Sequence, residues 1–108
     1  MLKEMTPAEF AARAREGDAP LLLDVREDWE LAIARLDGAV HIPMGQVPDR
    51  LAELDGGRDR EIVVMCRSGG RSAQVAGFLQ QQGYSRVWNL AGGILAWSEQ
   101  VDPTLPSY

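Results

Sequence analysis

Short apolar segments alternating with helical patterns predict an α/β domain, in which a parallel sheet is covered by helices on both faces. Two observations carry this. The runs "PLLLDV", "EIVVM" and "RVWNL" are nearly continuous in apolar residues, as strands buried on both faces are, and lack the alternation of a half-exposed sheet. Parallel neighbours also need a crossover between them, and the intervening segments have the length and periodicity of helices. The 108 residues are read as one domain, 1–108, with a core over about 6–98 and an extended tail over about 101–108. A chain of this length buries about 65% of its unfolded surface, whereas two halves would each be too small to hold themselves together.

The elements follow in order. "TPAE", Thr6 to Glu9, has the form of a capping box with proline in the first helical position, and the helix it opens should stop near Gly17. "PLLLDV" is a short buried strand. "EDWELAIARL", Glu27 to Leu36, reads as a short helix, and "GAVHIP" as a strand closed by Pro43. "VPDRLAEL" reads as a helix with Val47, Leu51 and Leu54 on one face. "EIVVM" is the most apolar strand, and it runs straight into Cys66. A helix is expected from about Arg71, with Val75, Phe78, Leu79 and Gln82 along one face and Gly83 at its end. "RVWNL" is a strand, "GGILAWSEQ" a final helix, and "VDPTLPSY", with its prolines, an extended tail. Trp88 and Trp97 are read as core, and Trp29, on a short polar helix, as partly exposed.

Composition narrows the function classes. The net charge is −5 and Lys3 is the only lysine, which argues against a nucleic-acid surface and its basic stripe. No stretch approaches the roughly 18 apolar residues of a membrane span. The amino terminus, "MLKEMTPAEF", carries acidic and helix-capping residues in place of the longer apolar segment of a secretion signal, so a cytoplasmic location is expected. One cysteine excludes an internal disulfide, and one cysteine with one histidine cannot build a structural zinc site. No metal or other cofactor is expected. The thiol is either core filler or a reagent.

The stretch "CRSGGRS", Cys66 to Ser72, decides between these. A strand delivers Cys66 to the carboxyl edge of the sheet, where open α/β folds gather their chemistry. Gly69 and Gly70 let the backbone curl before the helix begins, so that successive amides can point inward as an anion-binding nest, reinforced by the helix dipole. Arg67 and Arg71 add two positive charges. These features favour a thiolate as well as a bound anion. A core cysteine has no need of them, so Cys66 is read as a reactive nucleophile. The nucleotide-binding phosphate loop is a poor fit, because its lysine and glycine spacing are missing.

At these residues the chain resembles the rhodanese (sulfurtransferase) family. "CRSGGRS" is similar to the family's active-site loop, "LLLDVRE" to its Asp-x-Arg signature, and "VWNLAGGILAW" to its late Gly-Gly-x-x-x-Trp signature, over about Thr6 to Trp97. The resemblance implies a three-layer domain with a central five-stranded parallel sheet. It also implies a cysteine that takes sulfane sulfur from a donor as a covalent persulfide and passes it to a thiophilic acceptor. Cys66 inherits the nucleophile role, and Arg67, Ser68, Gly69, Gly70, Arg71 and Ser72 the loop that holds the persulfide and helps choose the donor. Asp24, Arg26, Gly92 and Gly93 are read as supporting residues, Arg26 able to pair with an acid such as Glu27 or Glu30 and the glycines allowing the last helix to approach the loop. The implied partners are a small anionic donor such as thiosulfate and a thiol or protein acceptor, with no nucleic acid and no membrane. The alternative is a persulfide carrier or interaction module in cofactor or transfer-RNA thiolation, and the tail "DPTLPSY" is similar to tails on rhodanese modules attached to enzymes that activate sulfur-carrier proteins.

Other chemistries of this fold meet specific objections. The resembling phosphatases carry a loop one residue longer, with arginine six positions after cysteine, whereas Arg71 is five positions after Cys66 and the uncharged Ser72 stands at the sixth. An arsenate-reducing reading meets the same objection. A cysteine hydrolase needs a histidine base beside the thiol, and His41, in "AVHIP", is read as structural or surface. Many members of the resembling family carry Gly-His-Ile where this chain has Ala34, Arg35 and Leu36, which implies different local packing, with Arg35 solvated.

Overall fold

The computed structural model describes residues 2–54 and 56–108. Five parallel strands form its sheet: β1 (Lys3–Met5), β2 (Leu21–Asp24), β3 (Val40–His41), β4 (Ile62–Met65) and β5 (Val87–Leu90), in the order β1-β5-β4-β2-β3. The helices are α1 (Pro7–Arg15), α2 (Asp28–Ile33), α3 (Gly70–Gln81) and α4 (Gly93–Gln100), with short 3-10 turns over Met44–Asp49, Leu51–Glu53 and Gly57–Asp59. From β2 the chain moves outward to β3, and from β4 it moves the other way to β5, so the order reverses between β2 and β4. A crevice opens at the carboxyl ends of strands where such a reversal occurs. Cys66 directly follows β4 at that point.

The strands are buried on both faces because two cores sandwich them. Along β4 the side chains alternate: Ile62, Val64 and Cys66 belong to one cluster, with Val75 and Leu79 of α3, and Val63 and Met65 belong to the other, with Phe10 of α1 and Ile94 of α4. Period-two alternation is invisible in an apolar run until the layers on each side are known. Among the described residues no helix is long and apolar enough to cross a membrane.

Local chemistry accounts for most of the element ends. Thr6 Oγ1 accepts from the Glu9 amide at 3.1 Å and the Glu9 carboxylate accepts from the Thr6 amide at 2.9 Å, closing the capping box that starts α1. Three elements depart from the expectations above. Segment 47–54 forms 3-10 turns, not one helix; Pro48 has no N–H to donate, yet Val47, Leu51 and Leu54 still meet the α3-side core. α2 ends at Ile33, short of Leu36, because Ala34 is extended and turns its carbonyl inward to accept from Arg26 at 2.8 Å. β1 has no apolar signature and is not among the strands expected above; Met5 is its one buried residue, while the Lys3 ammonium sits 4.5 Å above the Trp88 ring.

The segment after α4 is not extended. The Asp102 amide bonds the Trp97 carbonyl at 3.1 Å and the Leu105 amide bonds the Asp102 carbonyl at 3.3 Å, so the chain turns and brings Leu105 and Tyr108 back against the second core cluster. Trp97 meets Phe10 edge-on at 5.8 Å and Trp88 is partly buried, whereas Trp29 is 62% exposed.

Candidate active site

Cys66 is enclosed by the chain that follows it, with only 1% of its surface exposed. The loop turns at Gly69, whose φ of +114° lies where only glycine rests without strain. That turn aims the Gly69 amide at Cys66 Sγ, 3.1 Å away, and starts α3, where the Ser72 hydroxyl lies 3.3 Å from the same sulfur. Burial pushes the thiol up, but the Ser72 hydroxyl and the amides of Ser72, Gly69 and Ser68 outweigh it and hold Cys66 below its ordinary value. The thiolate is therefore favoured mainly by a ring of uncharged donors.

Ser72 has one proton and two acceptors. Its hydroxyl is 2.5 Å from Asn89 Oδ1, and the Asn89 amide nitrogen donates to Glu4 at 3.0 Å and to the Gly69 carbonyl at 3.2 Å. Those two acceptors orient the Asn89 side chain with its oxygen towards Ser72. The network spans β1, β5 and the loop, tying the thiol's surroundings to the edge strand.

The loop arginines are not free charges. Arg71 makes two hydrogen bonds to the buried Glu30 carboxylate, at 2.7 and 2.8 Å. Arg71, opposing the effect of burial, holds Glu30 down to about 2, so the pair stays ionised and nearly neutral in sum. Arg67 is exposed, and its Nε donates to the main-chain oxygen of Tyr108 at 2.6 Å, with Nη2 on the same oxygen. The expectation of two positive charges open to an anion is thus not met: one is neutralised and the other is occupied.

Below the loop, Arg26 is wholly buried. Its guanidinium bonds Asp24 through Nε at 3.0 Å and Nη2 at 2.8 Å, and its amide bonds the same carboxylate at 3.0 Å. The sequence points to Glu27 or Glu30 as its partner; Asp24 takes that place because it lies on the same strand end and is buried with it. Arg26 Nη1 also donates to the Tyr108 hydroxyl at 2.8 Å, which donates in turn to Glu30 at 3.1 Å. Burial holds the Tyr108 phenol above its ordinary value, so it keeps its proton at neutral pH.

Gly93 places α4 against the loop. Its neighbours Ile94 and Leu95 donate amides to the carbonyls of Cys66 and Arg67 at 3.0 and 3.1 Å, and a Cβ on Gly93 would lie 2.4 Å from the Arg67 oxygen. Gly92 turns the chain into α4, with its own virtual Cβ against Ala96. His41 Nε2 lies 2.6 Å from the Arg26 carbonyl, with its other ring nitrogen 3.7 Å from Asp28, and it makes no hydrogen bond to Cys66. Arg35 is exposed. Sequence reasoning missed Asn89 and Tyr108 as parts of the site, although they lie within the stretches "VWNLAGGILAW" and "DPTLPSY", and knew Glu30 only as an acid near Arg26.

Comparison with known proteins identifies the family. A family model described as "Rhodanese-like domain" matches residues 6–100. A protein named "Sulfurtransferase" from Allochromatium vinosum is 40% identical over 98 residues, covering 91% of this chain and 90% of that protein. The crystal structure of a Staphylococcus saprophyticus protein superposes with a TM-score of 0.80 at 31% identity, over 98% of this chain and all of that one. A rhodanese-like domain protein from Staphylococcus aureus gives a TM-score of 0.82 at 31% identity, over 89% and 91% of the two chains. The chain belongs to the rhodanese-like family of sulfurtransferases.

Proposed function

We propose that Cys66 transfers sulfane sulfur by forming a persulfide, with a small anionic compound such as thiosulfate as donor and cyanide, a thiol or a protein thiol as acceptor. One observation carries this reading: a nearly enclosed Cys66 sulfur meets the Gly69 amide and the Ser72 hydroxyl, donors that favour a negatively charged sulfur. The Cys66 thiolate attacks the outer sulfur of thiosulfate. A new S–S bond forms, the S–S bond of thiosulfate breaks, and its electron pair leaves with sulfite. The amides that stabilise the thiolate are then placed to hold the negative terminal sulfur of the persulfide. Cyanide attacks that terminal sulfur, thiocyanate departs, and the electron pair of the broken S–S bond returns to Cys66. Neither half-reaction needs a proton or an outside electron.

Asp24, Arg26 and Glu30 act as positioning residues, the first two bracing the strand ends and Glu30 fixing Arg71. Ser72 at the sixth position after Cys66 is bonded to Asn89 and offers no charge to a phosphate. The decisive measurement is intact mass after incubation with thiosulfate, before and after cyanide, with thiocyanate assayed in the same sample. The expected result is gain of one sulfur, lost to cyanide as thiocyanate, and absent in Cys66→Ser. Sulfur transfer retained by Cys66→Ser would overturn the assignment.

A further inference from the structure

We propose that Tyr108 is a specificity-determining residue of the Cys66 site, its main-chain oxygen occupying the Arg67 guanidinium and so selecting against doubly charged sulfur donors. This deepens the reading above and rests on it. Of the three arginines around the site, Arg26 and Arg71 face the carboxylates of Asp24 and Glu30, while Arg67 takes an oxygen of Tyr108. Arg67 is thus the group with most positive charge left for a donor anion, and it is the one that Tyr108 occupies.

Tyr108 is seated on several sides. Its hydroxyl lies between Arg26 and Glu30, its ring lies 5.2 Å from the Arg67 guanidinium and 5.8 Å from that of Arg26, and Trp29 meets the ring edge-on at 6.1 Å. Without the phenol ring these anchors are gone, and nothing else in that residue holds its oxygen on Arg67. A donor that uses Arg67 must displace that oxygen. Where the oxygen stays in place neither donor gains from Arg67, and once it is gone the Coulomb return is larger for a dianion than for a monoanion.

Two donors with the same reacting sulfur separate charge from chemistry. Thiosulfate carries two negative charges, and methanethiosulfonate carries one. In each, the Cys66 thiolate takes the outer sulfur and the electron pair leaves, with sulfite or with methanesulfinate. In full-length Tyr108→Ala, KM for thiosulfate is expected to fall about fivefold, and that for methanethiosulfonate less than about twofold, with cyanide as acceptor. Adding Arg67→Gln to Tyr108→Ala should erase the difference between donors. Tyr108→Phe, which keeps the ring but loses the hydroxyl bridge, should change the ratio in the same direction and by less, and it serves if Tyr108→Ala melts early. An equal change for both donors, or a charge preference that survives Arg67→Gln, would overturn the role of Tyr108 while leaving sulfur transfer standing. Failure of both donors to load Cys66 in the parent protein would overturn the two readings together.

Discussion

Cys66 shows how much can be done to a thiol without a histidine. Its pKa is lowered by a hydroxyl and three amides against the penalty of burial, and two of those donors are held by something further out: the Gly69 amide by its left-handed turn, the Ser72 hydroxyl by Asn89. Ser72 is the informative residue, since its single proton serves Asn89 Oδ1 at 2.5 Å as well as the sulfur at 3.3 Å. Replacing it with alanine removes the largest of the lowering influences, so the apparent pKa for Cys66 alkylation should move upward in Ser72→Ala. A titration of iodoacetamide reactivity against pH checks this; an unmoved profile would mean that the amides alone set the thiolate. The reading of Cys66 as the reactive group comes from "CRSGGRS" alone, because glycines and arginines after a buried strand serve no packing purpose. The state of the arginines was not readable. Their partners, Glu30 and Tyr108, are distant in sequence or follow no motif.

At the scale of elements, the site is the junction of β4, the loop, α3 and the start of α4. The helix α4 approaches so closely that its first amides bond the Cys66 and Arg67 carbonyls. Gly93 makes this possible: a Cβ there would press on backbone atoms of Cys66 and Arg67 at 2.4 to 2.5 Å, and its φ of +60° is unfavourable for any other residue. Gly70 has nothing within 4 Å of its Cβ position and begins α3. Gly93→Ala should therefore destabilise by about 3 kcal/mol, and lower the melting temperature on the order of 10 °C, while Gly70→Ala stays within about 0.5 kcal/mol. Thermal denaturation of both variants tests the contrast; similar melting temperatures would show that α4 can withdraw from the loop. Helix starts and the buried strands were legible because capping and apolar runs are local. The 3-10 turns at 44–53 and the early end of α2 were not, since Pro48 and the inward Ala34 carbonyl act against a periodicity that is itself correct.

For the molecule as a whole, the buried charges couple stability to pH. Glu30 has its pKa lowered from 4.5 to about 2 by Arg71, so it contributes stability at pH values above its unfolded value, and that contribution is lost as pH falls from about 4.5 towards 2. Urea midpoints measured from neutral pH down to about pH 2 should decline through this window in the parent and decline less in Glu30→Gln. Parallel curves would place the acid sensitivity elsewhere. The same carboxylate receives Arg71 from α3 and Tyr108 from the tail, so acid should loosen the loop and the tail together.

By itself the sequence determined the layered α/β class, the strand that carries Cys66, the glycine turn after it and the family, all of which depend on residues close together in the chain. Tertiary structure decided which charges are spent and which remain. Strand order places Asp24 and Cys66 at adjacent strand ends, α2 brings Glu30 under Arg71, and the tail returns Tyr108 to Arg67. An ion pair such as Arg71 with Glu30 needs two groups within a few ångströms, and only the folded chain sets that distance between residues 41 positions apart.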